Sequence, residues 1–380
     1  MKNVNIGIIG CGTVGVNVVK ILEKHSVIIK NRVGCGINIK WVCDKDLSRI
    51  KQLPNLPKEK ITSDINKVLL DPSVDILVEL IGGNDISRKI IIEAMNRGKH
   101  IVTANKAVLS KYWDEIFSLA LRKKLLVYFE AAVGAGIPVI QSLNEGLAAN
   151  KIQSIVGILN GTTNFILSKM TDDNMDFDEA LKLAQKSGFA EANPLLDLDG
   201  SDAAQKLSIL ASIAFGNHLP FEKIHRGGIS DISPIDIRYA KNEFGYVLKL
   251  LASVKNENGK ISATVCPTLI DVEHPLAAVE NEYNAIYIDG DSCGDIMLYG
   301  KGAGGPAAAS AVVSDIIYLA TNIFYGTAGK FPFILYDKKI KLNIRPVEDI
   351  VSKYYLRFST ADKPGVLSKI SGILGKNNVS

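Results

Sequence analysis

Cysteine is scarce in this chain of 380 residues: five, at positions 11, 35, 43, 266 and 293, an odd number with no CxxC spacing. That excludes a disulfide framework and a structural zinc site, and predicts a protein of the reducing cytosol. An excess of one charge is lacking too. Lys and Arg number 44 against 40 acids, a formal net charge of +4 with no basic block, so nothing argues for a nucleic-acid partner. The five histidines are scattered without metal-ligand spacing. No GxSxG elbow supports a serine hydrolase. Long apolar runs are also few. The longest, 307–324, is rich in small residues and carries Asp315 and Asn322, which predicts a buried helix and no membrane span. A signal peptide is not expected, because Asn5 and the glycines after it break the apolar start.

What is present reads as globular. Hydrophobic residues make up 47% and charged residues 22%, and the length suggests two or three domains. Over the first third, strand-like and helix-like periods alternate. Apolar runs at 4–9, 37–43, 74–81, 101–103 and 125–129 read as strands. Helical faces at 14–22, 86–97 and 112–122 separate them, which points to a parallel, doubly wound sheet. After Gly136 the rhythm changes. Strands are predicted at 151–159, 261–270, 285–288 and 295–298, with helices at 177–186 and 202–214, as in a mixed α+β domain covered on one side by helices. From Tyr354 comes a third pattern: a strand at 354–358, a DKPG turn and a helix over 366–374.

Between the first strand and the first helix stands GCGTVG. Gly10 permits a tight turn, Gly12 lets backbone amides approach a pyrophosphate, and Gly15 lets helix pack on strand, with the helix N-terminus facing the phosphates. This predicts dinucleotide binding. The tip of the second strand reads CDKD. Asp44 suits a ribose 2′-hydroxyl and hence NAD; Lys45 suits a 2′-phosphate and hence NADP, with a slight lean to the latter. Asp44 lies further from the glycines than is usual, which implies an insertion around 31–36.

A second constellation, FAEANPLLDLDGSDAAQK, spans 189–206. Glu191, Asp197 and Asp199 fall on loops, and Asp202 and Lys206 are four apart on one helix face. Four acids and a lysine at this density suggest a polar pocket in which Lys206 is held rigidly beside a carboxylate. The same i,i+4 spacing also describes an ordinary exposed helix pair, worth a few tenths of a kcal/mol. Lys106, in TANK, follows the 101–103 strand at the carboxyl edge of the sheet, where ligands meet in doubly wound folds; a surface lysine is the alternative.

Taken together, GIIGCGTVG, TANK, EAAVGAGIPVI (130–140), GILNGTTNFIL (157–167), FAEANP with DLDGSDAAQK, and GKGAGGPAAAS (300–310) resemble homoserine dehydrogenase over residues 3 to about 340. Ala307 and Ala308 stand where many members have Pro-Thr. The resemblance implies a reversible NAD- or NADP-linked reaction between L-aspartate 4-semialdehyde and L-homoserine. It implies Lys206 as acid–base with Asp202 beside it, Glu191 and Asp197 as substrate-pocket acids, and Thr13, Val14 and Lys106 on the cofactor; with Gly10, Gly12 and Gly15 of the turn, Lys45 at the second strand's tip and Gly302, these make up the expected cofactor-binding residues. Glu130, Val133, Ala135 and Ile137 match a loop binding a monovalent cation, Na+ or K+, mostly through carbonyls. It also implies a cytoplasmic homodimer or homotetramer joined through the second domain. The expected domains are 1–135, Rossmann-type; 136–325, catalytic and dimerising; 326–350, connecting; and 351–380. The last resembles the opening of an ACT domain, an amino-acid-binding module, and is too short to complete one, so a longer, threonine-inhibited parent is expected. Two other classes fit the residues: a reductase of a related amino-acid aldehyde, and a dinucleotide-binding sensor without turnover.

Overall fold

Short runs of Val, Ile and Leu bounded by glycine build the first sheet. In the computed structural model, which describes residues 3–379, its strands are β1 (Val4–Ile9), β2 (Ile37–Cys43), β3 (Ile61–Thr62), β4 (Ile76–Glu79), β5 (His100–Thr103) and β6 (Val127–Tyr128). They lie in the order β3-β2-β1-β4-β5-β6, every pair parallel. This is the doubly wound arrangement, with ligands expected beyond the carboxyl ends near β1 and β4, where the order reverses. Alternation along the strands divides the core. Ile6, Ile8, Ile76, Val78 and Val102 face one apolar cluster; Ile9, Leu77 and Ile101 face the other, around Trp113 and Phe129. The insertion inferred near 31–36 is a second helix, Ser26–Val33, which ends on Gly34 at φ +87°.

The helix expected at 112–122 starts earlier, at Lys106, and runs to Lys123. Asn105 caps it by accepting from the Val108 amide, and Tyr112 departs from helical geometry inside it (φ −116°, ψ 25°), which is why only the later part showed a regular face.

The second sheet contains β7 (Ile152–Ile158), β8 (His225–Arg226), β9 (Tyr246–Glu257), β10 (Lys260–Asp271), β11 (Tyr283–Gly290), β12 (Gly294–Lys301) and β13 (Asn343–Ile344). Its order is β12-β11-β7-β9-β10-β13, with β8 also on β10. The five long strands pair antiparallel; β8 and β13 run parallel to β10. Ile155, Ala252, Val254, Ile286 and Ile288 pack in one cluster with Ala203, Leu207 and Leu210 of the helix Ser201–Phe215. Burial there removes apolar area from water at about 25 cal/mol per Å². The helix Gly305–Phe324 lies within the 136–325 segment, yet its buried Ala309, Val312, Val313, Ile316 and Leu319 join the β1 cluster. It is a core helix, as its small residues predict; a Cβ on Gly305 would come within 2.6 Å of Thr13 Cγ2.

Residues 349–380 form a separate unit. The helix Val366–Lys376 is present, as expected. The strand expected at 354–358 is not: those residues have no regular structure, and Tyr354 and Phe358 are exposed.

Candidate active site

Asn160 ends β7's connection and opens the helix Gly161–Asp172. Its Oδ1 accepts from the Thr163 amide at 2.9 Å, a cap that fixes the side chain. Its Nδ2 then donates to Asp197 Oδ1 at 2.7 Å and to Asp202 Oδ2 at 2.9 Å. One asparagine thus holds two carboxylates together. Asp202, in the first turn of the helix Ser201–Phe215, pairs with Lys206 Nζ at 2.7 Å and Lys106 Nζ at 3.1 Å. Lys206 also donates to the Leu159 carbonyl at 2.6 Å.

The electrostatics follow from this packing. Burial alone would push the Asp202 carboxyl up, but the Lys206 and Lys106 ammoniums, with the hydrogen bonds from Lys206 and Asn160, outweigh it and hold it well below the ordinary range. Lys106 is raised, chiefly by Asp202, against its own burial. Asp197 is raised by burial and by Asp202's charge. Lys206 is buried, whereas the Lys106 side chain is 36% exposed. Asp202–Lys206 is therefore a buried ion pair and not an exposed helix pair. Lys106 sits just past β5, on a rigid base: Thr103 donates to the buried Glu79 at 2.7 Å, and Asn105 to the Gly83 carbonyl at 2.8 Å.

Glu191 stands apart from this core. It is exposed, on the loop after the helix Phe177–Lys186, with its carbonyl held by Gln185 Nε2 at 3.2 Å. Its charge is still felt at Lys106, which it raises. Asp199 is a local turn residue; its Oδ1 accepts from the Ser201 amide at 2.8 Å.

The glycine-rich turn has room for a dinucleotide. Gly10 (φ +100°) lies so close to β4's end that a Cβ would be 2.6 Å from the Leu80 carbonyl, and one on Gly15 would be 2.2 Å from the Gly10 carbonyl. At Gly12 a Cβ would meet only Arg49 Nη1, at 3.9 Å, so the space over the helix Thr13–Lys24, which carries Thr13 and Val14, is open. The adjoining cavity is lined by Gly10, Gly12, Asp44, Lys45 and Arg49. Asp44 is engaged within the protein: its Oδ2 accepts from the Cys11 amide at 2.6 Å and its Oδ1 from the Asp46 amide at 2.9 Å. Lys45 and Arg49 are exposed beside it. Gly302, buried, leads into the helix whose first residue, Gly305, touches Thr13.

The 130–137 loop turns through two left-handed residues, Gly134 (φ 72°) and Ala135 (φ 48°). Buried Glu130 accepts from the amides of Ile140 at 2.8 Å and Gln141 at 2.9 Å, and its own amide donates to buried Asp315 at 2.9 Å. The Ile137 carbonyl accepts from Val139. Val133 and Ala135 are buried, and among the described residues their carbonyls accept no hydrogen bond. Two orphaned hard oxygens on a tight loop fit an alkali cation.

Reasoning from sequence did not assign Asn160, Arg49 or Asp315. The first carries a legible signal, Asn directly before a helix start. The other two become meaningful only when distant segments meet.

Two family models cover most of the chain: homoserine dehydrogenase over residues 138–317, and the homoserine dehydrogenase NAD binding domain over 10–130. The chain is 40% identical to the homoserine dehydrogenase of Bacillus subtilis, spanning 100% of this chain and 87% of the relative. It is 43% identical to that of Synechocystis, over 99% and 88%. This chain belongs to the homoserine dehydrogenase family. Among solved structures, a homoserine dehydrogenase from Thiobacillus denitrificans superposes with a TM-score of 0.91 at 38% identity, covering 99% of this chain and 87% of that one. A hyperthermophilic archaeal homoserine dehydrogenase mutant in complex with NADPH matches at 0.70 and 29% identity, over 83% and 97%.

Proposed function

We propose that this chain interconverts L-aspartate 4-semialdehyde and L-homoserine with a nicotinamide dinucleotide. The observation that carries the proposal is the Asp202 carboxylate joining Lys106, at the edge of the dinucleotide sheet, to Lys206, on the second domain's central helix. It gathers two ammoniums at the place where an aldehyde would meet the nicotinamide.

Reduction of an aldehyde puts negative charge on its oxygen. When bound, the reduced nicotinamide supplies the hydride. Lys206 donates a proton to the oxygen as the carbon–hydrogen bond forms, and as an amine takes it back in the reverse direction. Lys106 remains charged, since Asp202 raises it, and stabilises the developing alkoxide. Asp202 keeps both lysines in place, and Asn160 orients Asp202 and Asp197. Glu191 and Asp197 serve the substrate's ammonium. Gly10, Gly12, Thr13, Val14, Gly15 and Gly302 would hold the dinucleotide. Lys45 and Arg49 support a preference for NADP, because two cations flank the cavity beyond an Asp44 already bonded to Cys11. Val133 and Ala135, with Glu130 and Ile137, would hold Na+ or K+ and order the loop between the domains.

The remaining parts of the reading are a homodimer or homotetramer built through the second domain, a place in the cytosol, and a role in forming threonine, methionine and isoleucine. The domains are assigned as 1–135, 136–325, 326–350 and 351–380. The test is absorbance of NAD(P)H on addition of L-homoserine, beside related amino alcohols. Turnover of another alcohol in preference to homoserine would move the chain to a different substrate; cofactor binding without turnover of any would make it a sensor.

A further inference from the structure

Asn284, on β11, is wholly buried, and among the described residues neither its Oδ1 nor its Nδ2 has a hydrogen-bond partner. A buried amide without partners weakens the fold that contains it, so its persistence points to an occupant. Its neighbours say which one. Gly302 lies flat against it: a Cβ there would be 2.0 Å from Asn284 Cγ and 2.1 Å from Nδ2. From Gly302 the chain passes through exposed Ala303 and Gly304, where a Cβ would meet nothing within 4 Å, to Gly305 against Thr13 of the glycine-rich turn. On its other side is Gly161, whose Cβ would be 3.6 Å from Oδ1, at the head of the helix capped by Asn160. The amide therefore lies between the cofactor-side segment 302–305 and the helix that organises Asp197 and Asp202.

We propose that Asn284 is a positioning residue for the nicotinamide end of the cofactor: its amide pairs with the backbone of 302–304 when that segment settles on the bound dinucleotide. The inference rests on the dehydrogenase reading above. Gly302 must be glycine because the amide occupies the space a side chain would need. The polar side chain lowers the stability of the free protein in return for partners in the bound one.

The experiment compares the wild-type chain with Asn284→Leu, of similar shape and without the amide, and with Asn284→Ala, which only removes atoms. Binding of NADPH is read by nicotinamide fluorescence, and binding of 2′-phospho-ADP-ribose, which lacks the nicotinamide, by calorimetry. The leucine variant should keep or raise Tm, weaken NADPH by about 10-fold, the value of one lost hydrogen bond, and leave the nicotinamide-free ligand within about twofold. Turnover should fall through kcat, with KM for homoserine little changed. If leucine does not fit, the alanine variant gives the same comparison of ligands. Equal weakening of both ligands, or unchanged NADPH binding, overturns the role. A lower Tm with cofactor binding intact also overturns it, and marks Asn284 as a structural residue satisfied by trapped water. Failure of the wild-type chain to bind NADPH or oxidise homoserine would instead defeat the dehydrogenase reading itself.

Discussion

Replacing Asp202 with asparagine removes one charge and almost no volume, so it isolates what the carboxylate does. Its oxygens lie 2.7 Å from Lys206 Nζ and 3.1 Å from Lys106 Nζ. At an effective dielectric of about 20, each contact carries roughly 5–6 kcal/mol of attraction. Desolvating the buried carboxylate cancels several kcal/mol of that, and the Lys106 contact is discounted because its side chain is 36% exposed. The net cost of the substitution is then about 3–5 kcal/mol, since two ammoniums are left facing one another without their anion. Urea unfolding should show this loss, and kcat should fall by about 10²–10³ because both lysines lose their orientation and Lys206 its charge partner. Asp202→Asn combined with Lys206→Met should recover part of the lost stability but none of the turnover. Wild-type stability together with wild-type kcat in the single variant would refute the buried-pair argument. Lost stability with undiminished kcat would show that the pair holds the fold and takes no part in the chemistry.

Lys206→Ala should lower kcat by about 10²–10⁴ while NADPH affinity survives, and arginine should not restore it, because a guanidinium does not give up its proton; near-normal turnover would transfer the acid–base role to Lys106. Glu191→Gln should raise KM for homoserine far more than for the nucleotide, whereas equal increases would make Glu191 a structural residue. Lys45→Ala with Arg49→Ala should reduce kcat/KM for NADP by at least about 10-fold and leave NAD nearly untouched, as measured by parallel assays; an unchanged ratio would show that neither cation reads the 2′-phosphate. Acid should destabilise the chain through His100, whose Nδ1 accepts from the Leu126 amide at 3.0 Å and whose pKa burial pushes down to about 4. The unfolded chain takes up this proton below about 6.5 and the folded chain does not until about 4, so stability is full above that window and falls by about 3 kcal/mol as pH drops through it. In His100→Asn, which keeps an acceptor and cannot titrate, urea midpoints between pH 6.5 and 4.5 should lose that part of the slope.

Five of the parallel sheet's six strands were readable because each ends in a turn and helical periods separate most of them; β3, two residues long and reached from β2 through short 3-10 turns, left no such pattern. GCGTVG was readable because position gives glycines meaning: strand before, helix after. Elements whose pattern depends on a partner were not. β9, with its near-continuous apolar run, and the helix Pro234–Phe244 left no clear period against their loops. Residues 354–358 have the composition of a strand, but composition cannot supply the neighbouring ladder. Asp44 shows the same limit at a site. Its place at the tip of β2 suggests a ribose; that the Cys11 and Asp46 amides also bind its carboxylate appears only once the turns are folded.

The acid-rich string around Lys206 separates density from function. By composition Asp199 and Asp202 are two acids near one helix start, where the helix dipole favours both, and spacing adds only that Asp202 lies four residues before Lys206. The fold distinguishes them by what arrives from elsewhere in the chain. Among the described residues the Asp199 carboxylate receives the Ser201 amide two residues on, a turn that any similar sequence could make. Asp202 receives Asn160 from the end of β7 and Lys106 from the edge of the other sheet. An exposed i,i+4 pair would tolerate loss of either partner for a few tenths of a kcal/mol. Once a third and a fourth side chain converge on the same carboxylate and water is removed, the pair becomes the joint between two domains. The chemistry proposed here depends on those long-range contacts, because only they place Lys106 and Lys206 on one substrate.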